Sequence, residues 1–341
     1  MGILDWFKNR PSQFDPEAPS EEVLQRAIDK AVTLTNPRLR LLDGYHDRLA
    51  PVVRHTMAYL REAVLALPPA IRISESNWSS DPVLRAFFAG AADIPKALGL
   101  CKNLRTFFEK YPTLDEAHIV LGMTYNEQHV EGMALQGDML QRDISRKVID
   151  FSTPRTRICG QDDTEVRHLL GNQSFEYLVA QALQEIGEMR SERQEIEEHR
   201  SLIMARLRIL QQQGPGLGSV FGAAPNASMQ QAKLEAQLLE NERQMEEIGK
   251  SQPILETELS CLCKVLEAPD RYIRFEPTSL RLSTLNVLLE KDSPDVGADV
   301  NFTMAVLLGV PKVRRAFVIG RLSKSELPVQ KINFSEVERM L

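Results

Sequence analysis

Two stretches of the chain place their apolar residues at alternating intervals of three and four. In the first, Val179, Ala182, Ile186, Met189, Ile196, Ile203, Leu207 and Leu210 keep this spacing, and Arg193 and Arg200 fill two of its positions. In the second, Leu234, Leu238, Met245, Ile248, Leu255, Leu259, Leu262 and Leu266 keep it, with Asn241 and Gln252 in the same row. A mean interval of 3.5 residues is the period of a coiled-coil seam, narrower than the stripe of an ordinary surface helix. The run Gly-Pro-Gly-Leu-Gly-Ser-Val-Phe-Gly at 214–222 lies between the two stretches, and no helix continues through it. The pattern therefore predicts an antiparallel coiled-coil hairpin over 166–268 with a glycine-rich tip at 214–227. Each arm would be about 50–60 Å long at the helical rise per residue.

The polar seam positions suggest a register. If Leu207 faces Leu234 and Phe175 faces Leu266, every seam residue meets a seam residue and Arg200 meets Asn241. This register sets Arg193 against Ile248, where its charge must snorkel outward. A heptad shift one way sets both Arg193 and Arg200 against apolar residues, and the other starts the second arm before Pro225, so Arg200 and Asn241 are read as the register-setting pair. Pro253 predicts a kink near 249–251. The tip carries Leu217, Val220 and Phe221 among glycines, a rod's length from any core. Apolar side chains at such a place point to a contact for a protein partner.

Upstream, 20–112 reads as a helical domain. Ser20 caps a helix whose core face is Val23, Leu24, Ala27, Ile28, Ala31 and Val32, and Asn36-Pro37 stops it. A second helix is predicted over 39–67, ending at Pro68-Pro69. Asp81-Pro82 opens a third, and Asp93-Ile94-Pro95 a fourth that carries Leu98, Cys101, Leu104, Phe107 and Phe108 inward. Ahead of this domain, 1–19 is an amphipathic segment and a linker. Ile3, Leu4, Trp6 and Phe7 would dock either on a membrane surface or on the protein's own body.

The period drops to two at 117–125, where Ala117, Ile119, Leu121, Met123 and Tyr125 alternate with other residues, as in a half-buried strand. Asn126-Glu127-Gln128 reads as a turn, 129–136 as the returning strand, and 147–152 and 156–159 as two short strands. Beyond the hairpin, strands are expected at 272–275, 280–289, 303–308 and 315–322. An antiparallel hairpin returns its ends to one place, so the β-rich blocks 113–165 and 269–341 are expected to pair, the second closing with a short C-terminal helix. The fold class is thus α+β and predominantly helical: an N-terminal helical domain, a small β-rich body, and a long antiparallel coiled-coil hairpin inserted in it.

Composition changes this picture little. The chain has 341 residues, 43% of them hydrophobic and 26% charged, which is enough apolar content to fold. Its net charge of −6 lies on the arms, with five Arg against seven Glu in 171–210 and four Lys or Arg against eight Glu in 228–268. An acidic rod is a poor surface for nucleic acid, which is not an expected partner. The basic cluster of Lys312, Arg314, Arg315, Arg321 and Lys324 reads as the charged edge of a strand. Four cysteines form no disulfide framework and no zinc spacing. The opening residues lack a basic leader and no window is apolar for 18 residues, so a cytoplasmic location is expected, with peripheral membrane attachment as the alternative.

Chemical motifs are absent. The six histidines fall in no metal-binding frame, and Gly216 and Gly218 lack the Gly-Lys-Ser/Thr end of a phosphate loop. Asp138, Asp143 and Asp150 are the nearest thing to a carboxylate group, at a spacing common in loops. No catalytic, cofactor or metal residue is therefore assigned. The reading is a non-enzymatic interaction or scaffold protein that presents a hairpin and its apolar tip to a protein partner or a second copy. A peripheral membrane protein anchored through 1–10 or the tip is the alternative, and an enzyme whose site leaves no motif the third.

Overall fold

A computed structural model describes residues 20–136, 139–212, 227–247, 254–290, 293, 295–309 and 311–328. In order, the helices are α1 (Glu21–Thr35), α2 (Tyr45–Leu65), α3 (Pro82–Phe87), α4 (Asp93–Gly99), α5 (Lys102–Lys110), α6 (Asp163–Gln212), α7 (Ala227–Glu247) and α8 (Ile254–Glu267). The strands are β1 (Ile71–Ile73), β2 (Glu116–Gln136), β3 (Met139–Gly160), β4 (Ile273–Leu282), β5 (Ala298–Leu307) and β6 (Val313–Ser323). The chain is thus a mixture of helix and antiparallel sheet, with one very long helix. It divides into two compact units, the first holding Thr56–Glu176 and Ala268–Leu341, the second Leu24–His55 and Tyr177–Glu267. Residues 20–112, read from the sequence as one helical block, contribute to both.

The first unit is built on a sheet of order β3-β2-β6-β5-β4, every neighbour antiparallel, with β1 added parallel to β6. The alternation read in 117–125 sorts the side chains by face. Ile119, Leu121 and Met123 join Val300, Phe302, Met304 and Val318 in one core, closed by Leu84 and Phe87 of α3, Leu98 of α4 and Leu104 of α5. The alternate residues Val120, Phe317, Ile319 and Ala305 face a second cluster with Val64, Leu67 and Val166. With both faces covered, β6 carries the unbroken apolar run from Ala316 to Ile319. Arg167 fixes the second face. Its buried guanidinium donates to the carbonyls of Val64 (2.6 Å), Leu67 (3.0 Å) and Pro68 (2.8 Å), groups at and just past the end of α2 that have no helical partner, while its Nε donates to Asp163.

The structure revises several sequence expectations. The chain does not turn at 126–128: β2 runs on to Gln136 and pairs with β3 as far as Gln136–Met139. The polar residues there lie on an exposed ribbon, where Glu127 accepts from Tyr125 Oη (2.7 Å) and from Lys147 Nζ (2.5 Å). The two short strands expected at 147–152 and 156–159 are parts of β3, joined through Thr153, whose φ of 46° marks an irregularity in the pairing. Glu276-Pro277 does not separate two strands either. Pro277 sits within β4, an edge strand, where a missing N–H leaves no central ladder bond unmade. The fourth helix of the sequence reading breaks at Leu100-Cys101 into α4 and α5.

Residues 280–289 also differ from the single strand expected. The chain leaves β4 at Leu282 and reverses, with Ser283 Oγ accepting from the amides of Leu285 and Val287 and Asn286 in the left-handed region (φ 56°). It then bonds to β3: Ile149 N donates to Asn286 O (2.9 Å) and Leu288 N to Lys147 O (2.8 Å). The hydrogen bonding of the sheet therefore returns from its β4 end to its β3 end. Phe151, Phe302, Phe87 and Tyr125 meet inside this circuit, with Phe87 and Phe151 centred 4.9 Å apart. The kink expected at 249–251 and the short C-terminal helix expected beyond 328 lie outside the described residues.

Gly320 is required by the approach of β1 to β6, because a Cβ there would collide with the Ile73 side chain. Gly320→Ala should therefore destabilise the fold by about 1–3 kcal/mol, the usual range for overpacking. Urea denaturation of the variant checks this.

Candidate interaction site on the long helices

The second unit is organised at its base by a carboxylate taken out of water. Leu24, Ile28, Val32, Leu49, Val53, Val179, Ala182, Ile186, Leu259, Leu262 and Val265 are buried, as helical spacing in each segment requires. Among them Glu258 of α8 is only 2% exposed. It accepts from Arg190 Nε of α6 (2.7 Å) and from Asn36 Nδ2 just beyond α1 (2.6 Å), so one side chain ties three segments. Arg48 of α2 adds a second link to α8 through Glu256 (2.5 Å) and Ser260 (3.3 Å). Nearby, Cys261 Sγ lies 3.7 Å from a Glu185 carboxylate oxygen. Burial and that carboxylate push the Cys261 thiol up to about 12, so it stays protonated at neutral pH and is a poor nucleophile or metal ligand.

Further along α6 the burial narrows. Between 187 and 208, every residue is exposed except Met189, Arg193, Ile196, Arg200, Ile203 and Leu207. These are the seam positions read from the sequence, and Ile203 and Leu207 are buried. On α7, Leu234, Leu238 and Asn241 are likewise withdrawn from solvent, and Asn241 is 2% exposed. Asn241 Nδ2 donates to the carbonyl of Ile196 (3.1 Å), while Arg200 Nη2 lies 3.4 Å from Glu242 Oε1. Asn241 thus bonds one turn from Arg200, and Arg200 lies beside the residue that follows Asn241. Arg193 turns outward to Glu197 on its own helix (3.1 Å), the route by which a seam arginine keeps its charge in water.

The other sequence-derived candidates fall elsewhere. Leu217, Val220 and Phe221 of the tip, and Ile3, Leu4, Trp6 and Phe7 of the opening segment, lie outside the described residues. So does Asp138. Asp143 lies on β3 without a described side chain, and Asp150 pairs across the ribbon with Asn126. Of the basic cluster, Arg314 stacks over the Tyr125 ring (5.6 Å) and Arg315 bonds to Thr124, so both are engaged along the sheet. Among the described residues, no three His, Cys, Asp or Glu side chains gather as a metal group, and no helix is long and apolar enough to cross a membrane. Glu258 itself escaped the sequence reading. Its only signal is a glutamate beside a seam leucine within the apolar run of α8.

Removing the cation should expose the cost of this burial. Arg190→Met leaves the Glu258 carboxylate with Asn36 alone and should destabilise by up to about 3–5 kcal/mol, toward the lower end because half of the arginine side chain meets water. The double variant Arg190→Met/Glu258→Met should recover most of that loss in the same denaturation measurement. Compared with family models, with curated proteins and with solved structures, the chain matches none.

Proposed function

We propose that the chain is a non-enzymatic interaction protein in which α6 and the pair α7–α8 form an antiparallel coiled-coil hairpin that presents its glycine-rich end, 214–227, to a protein partner. The observation that carries the reading is the burial along α6. A 50-residue helix whose last described turns withdraw one residue every three or four from solvent, and leave the rest in water, fits the seam of a two-helix rod better than the stripe of a packed domain helix. The contacts support the direction. Glu185 and Arg190, earlier on α6, meet Cys261 and Glu258, whereas Ile196 and Arg200, later on it, meet the lower-numbered Asn241 and Glu242.

A rod of this kind adds little to the stability of a compact body. Its exposed faces carry Leu202 and Leu239, and its end carries Leu217, Val220 and Phe221. Apolar residues far from a core are covered by something else, and a partner protein or a second copy suits an end with no neutralising basic face for anionic lipid.

The test replaces Leu217, Val220 and Phe221 with Ser in the full chain. Sedimentation equilibrium, chemical cross-linking to co-purifying protein and vesicle flotation are then compared with the parent. Loss of self-association or of the cross-linked partner, with flotation unchanged, is the expected result. Loss of vesicle binding alone would move the reading to the membrane, and no change in any of the three would reduce the loop to a linker.

A further inference from the structure

The first unit carries a feature that the hairpin reading does not use. A cleft of about 730 Å³ opens between α4, the start of α5, and β3 at residues 154–157. This volume falls in the range of small-molecule sites, roughly 300–1,000 Å³. Its floor is apolar and aromatic, formed by Phe87, Phe88, Met123 and Phe151, and the largely exposed Leu100 stands at its rim.

The rim is cationic in a chain whose net charge is −6. Lys96, Lys102, Arg155 and Arg157 line it against one carboxylate, Asp93, which already lies 3.4 Å from Lys96. Among the described residues, the side chains of Lys102, Arg155 and Arg157 have no acidic partner. Two further features point at a ligand. The nine-residue α5 begins at the cleft with no side chain capping its first amides and no acidic residue in its first turn. Thr156, which lines the cleft, is only 4% exposed, and its Oγ1 has no hydrogen-bond partner among the described residues. Asn103 Nδ2 donates to Arg157 O (3.2 Å), so the two cationic walls are held to each other.

We propose that this cleft binds a small phosphate monoester with a flat apolar body. The body rests on the phenylalanine floor, and the phosphate meets Lys102, Arg155, Arg157 and the first amides of α5. Three cations without a carboxylate match a dianion better than a single carboxylate, and arginine and helix amides both suit phosphate oxygens.

Calorimetric titration of the full chain with 1-naphthyl phosphate tests the assignment, with 1-naphthol and inorganic phosphate as the body alone and the head alone. The ester should bind, each half should bind at least about tenfold more weakly, and the affinity should fall with added salt. Arg155→Gln/Arg157→Gln, at two exposed positions that the core does not use, should weaken the ester about tenfold or more while leaving the circular dichroism and melting unchanged. Absence of binding at millimolar ester, equal binding of naphthol, equal binding of inorganic phosphate, or an unchanged affinity in the double variant would each overturn it.

Discussion

A carboxylate removed from water must be met by donors, and Glu258 is where that demand fixes the long helices. Apolar contacts along a seam are non-directional, and neighbouring heptads offer nearly equal alternatives. The buried Glu258 removes that degeneracy at the base by taking Arg190 from one helix and Asn36 from the end of another. Further out, Asn241 on the Ile196 carbonyl and Arg200 beside Glu242 add polar bonds within an otherwise apolar stripe. In the proposed hairpin the apolar stripe supplies the attraction and these polar bonds are the candidates for setting register, as single polar seam residues do in coiled coils.

What could be read in the sequence follows from how much of each element is buried on one side only. The stripe along α6 was legible because its period persists over many turns, and the residues it names are those withdrawn from solvent. Residues 117–125 were legible because every second side chain, from Ala117 to Tyr125, enters or packs on one core cluster. The continuation of β2 was not, because 126–131 are exposed on both faces and polar residues there carry no period. A strand through Pro277 is readable only with the knowledge that β4 is an edge, and the reversal at Ser283–Asn286 depends on one asparagine adopting a left-handed conformation. The cleft was invisible for a related reason: Lys102, Arg155 and Arg157 come from segments brought together only when α5 packs on β3.

The two units also differ in the surface they offer. The negative charge of the chain lies on 171–210 and 228–268, where Glu residues flank a narrow apolar stripe, whereas the first unit gathers cations around an aromatic floor. Contact with a macromolecular partner and recognition of a small anion place different requirements on a surface. The first needs apolar residues left uncovered at the end of a rigid element, and the second needs a concave site with fixed donors. The proposed hairpin end belongs to the first kind and the cleft of the first unit to the second, and neither proposal depends on the other.

The pairing of the long helices is tested most directly by electron-spin distance measurement in the full chain, with labels carried on a non-natural amino acid so that the four native cysteines do not interfere. Labels at Glu198 and Arg243 sit near the Asn241 contact and should give a short, narrow distribution. Moving the first label to Gln184, fourteen residues back along α6, displaces it by about 21 Å along the axis, which across packed helices should lengthen the mean by roughly 10–15 Å while keeping the distribution narrow. Two broad distributions, or two of equal mean, would contradict an antiparallel helical pair.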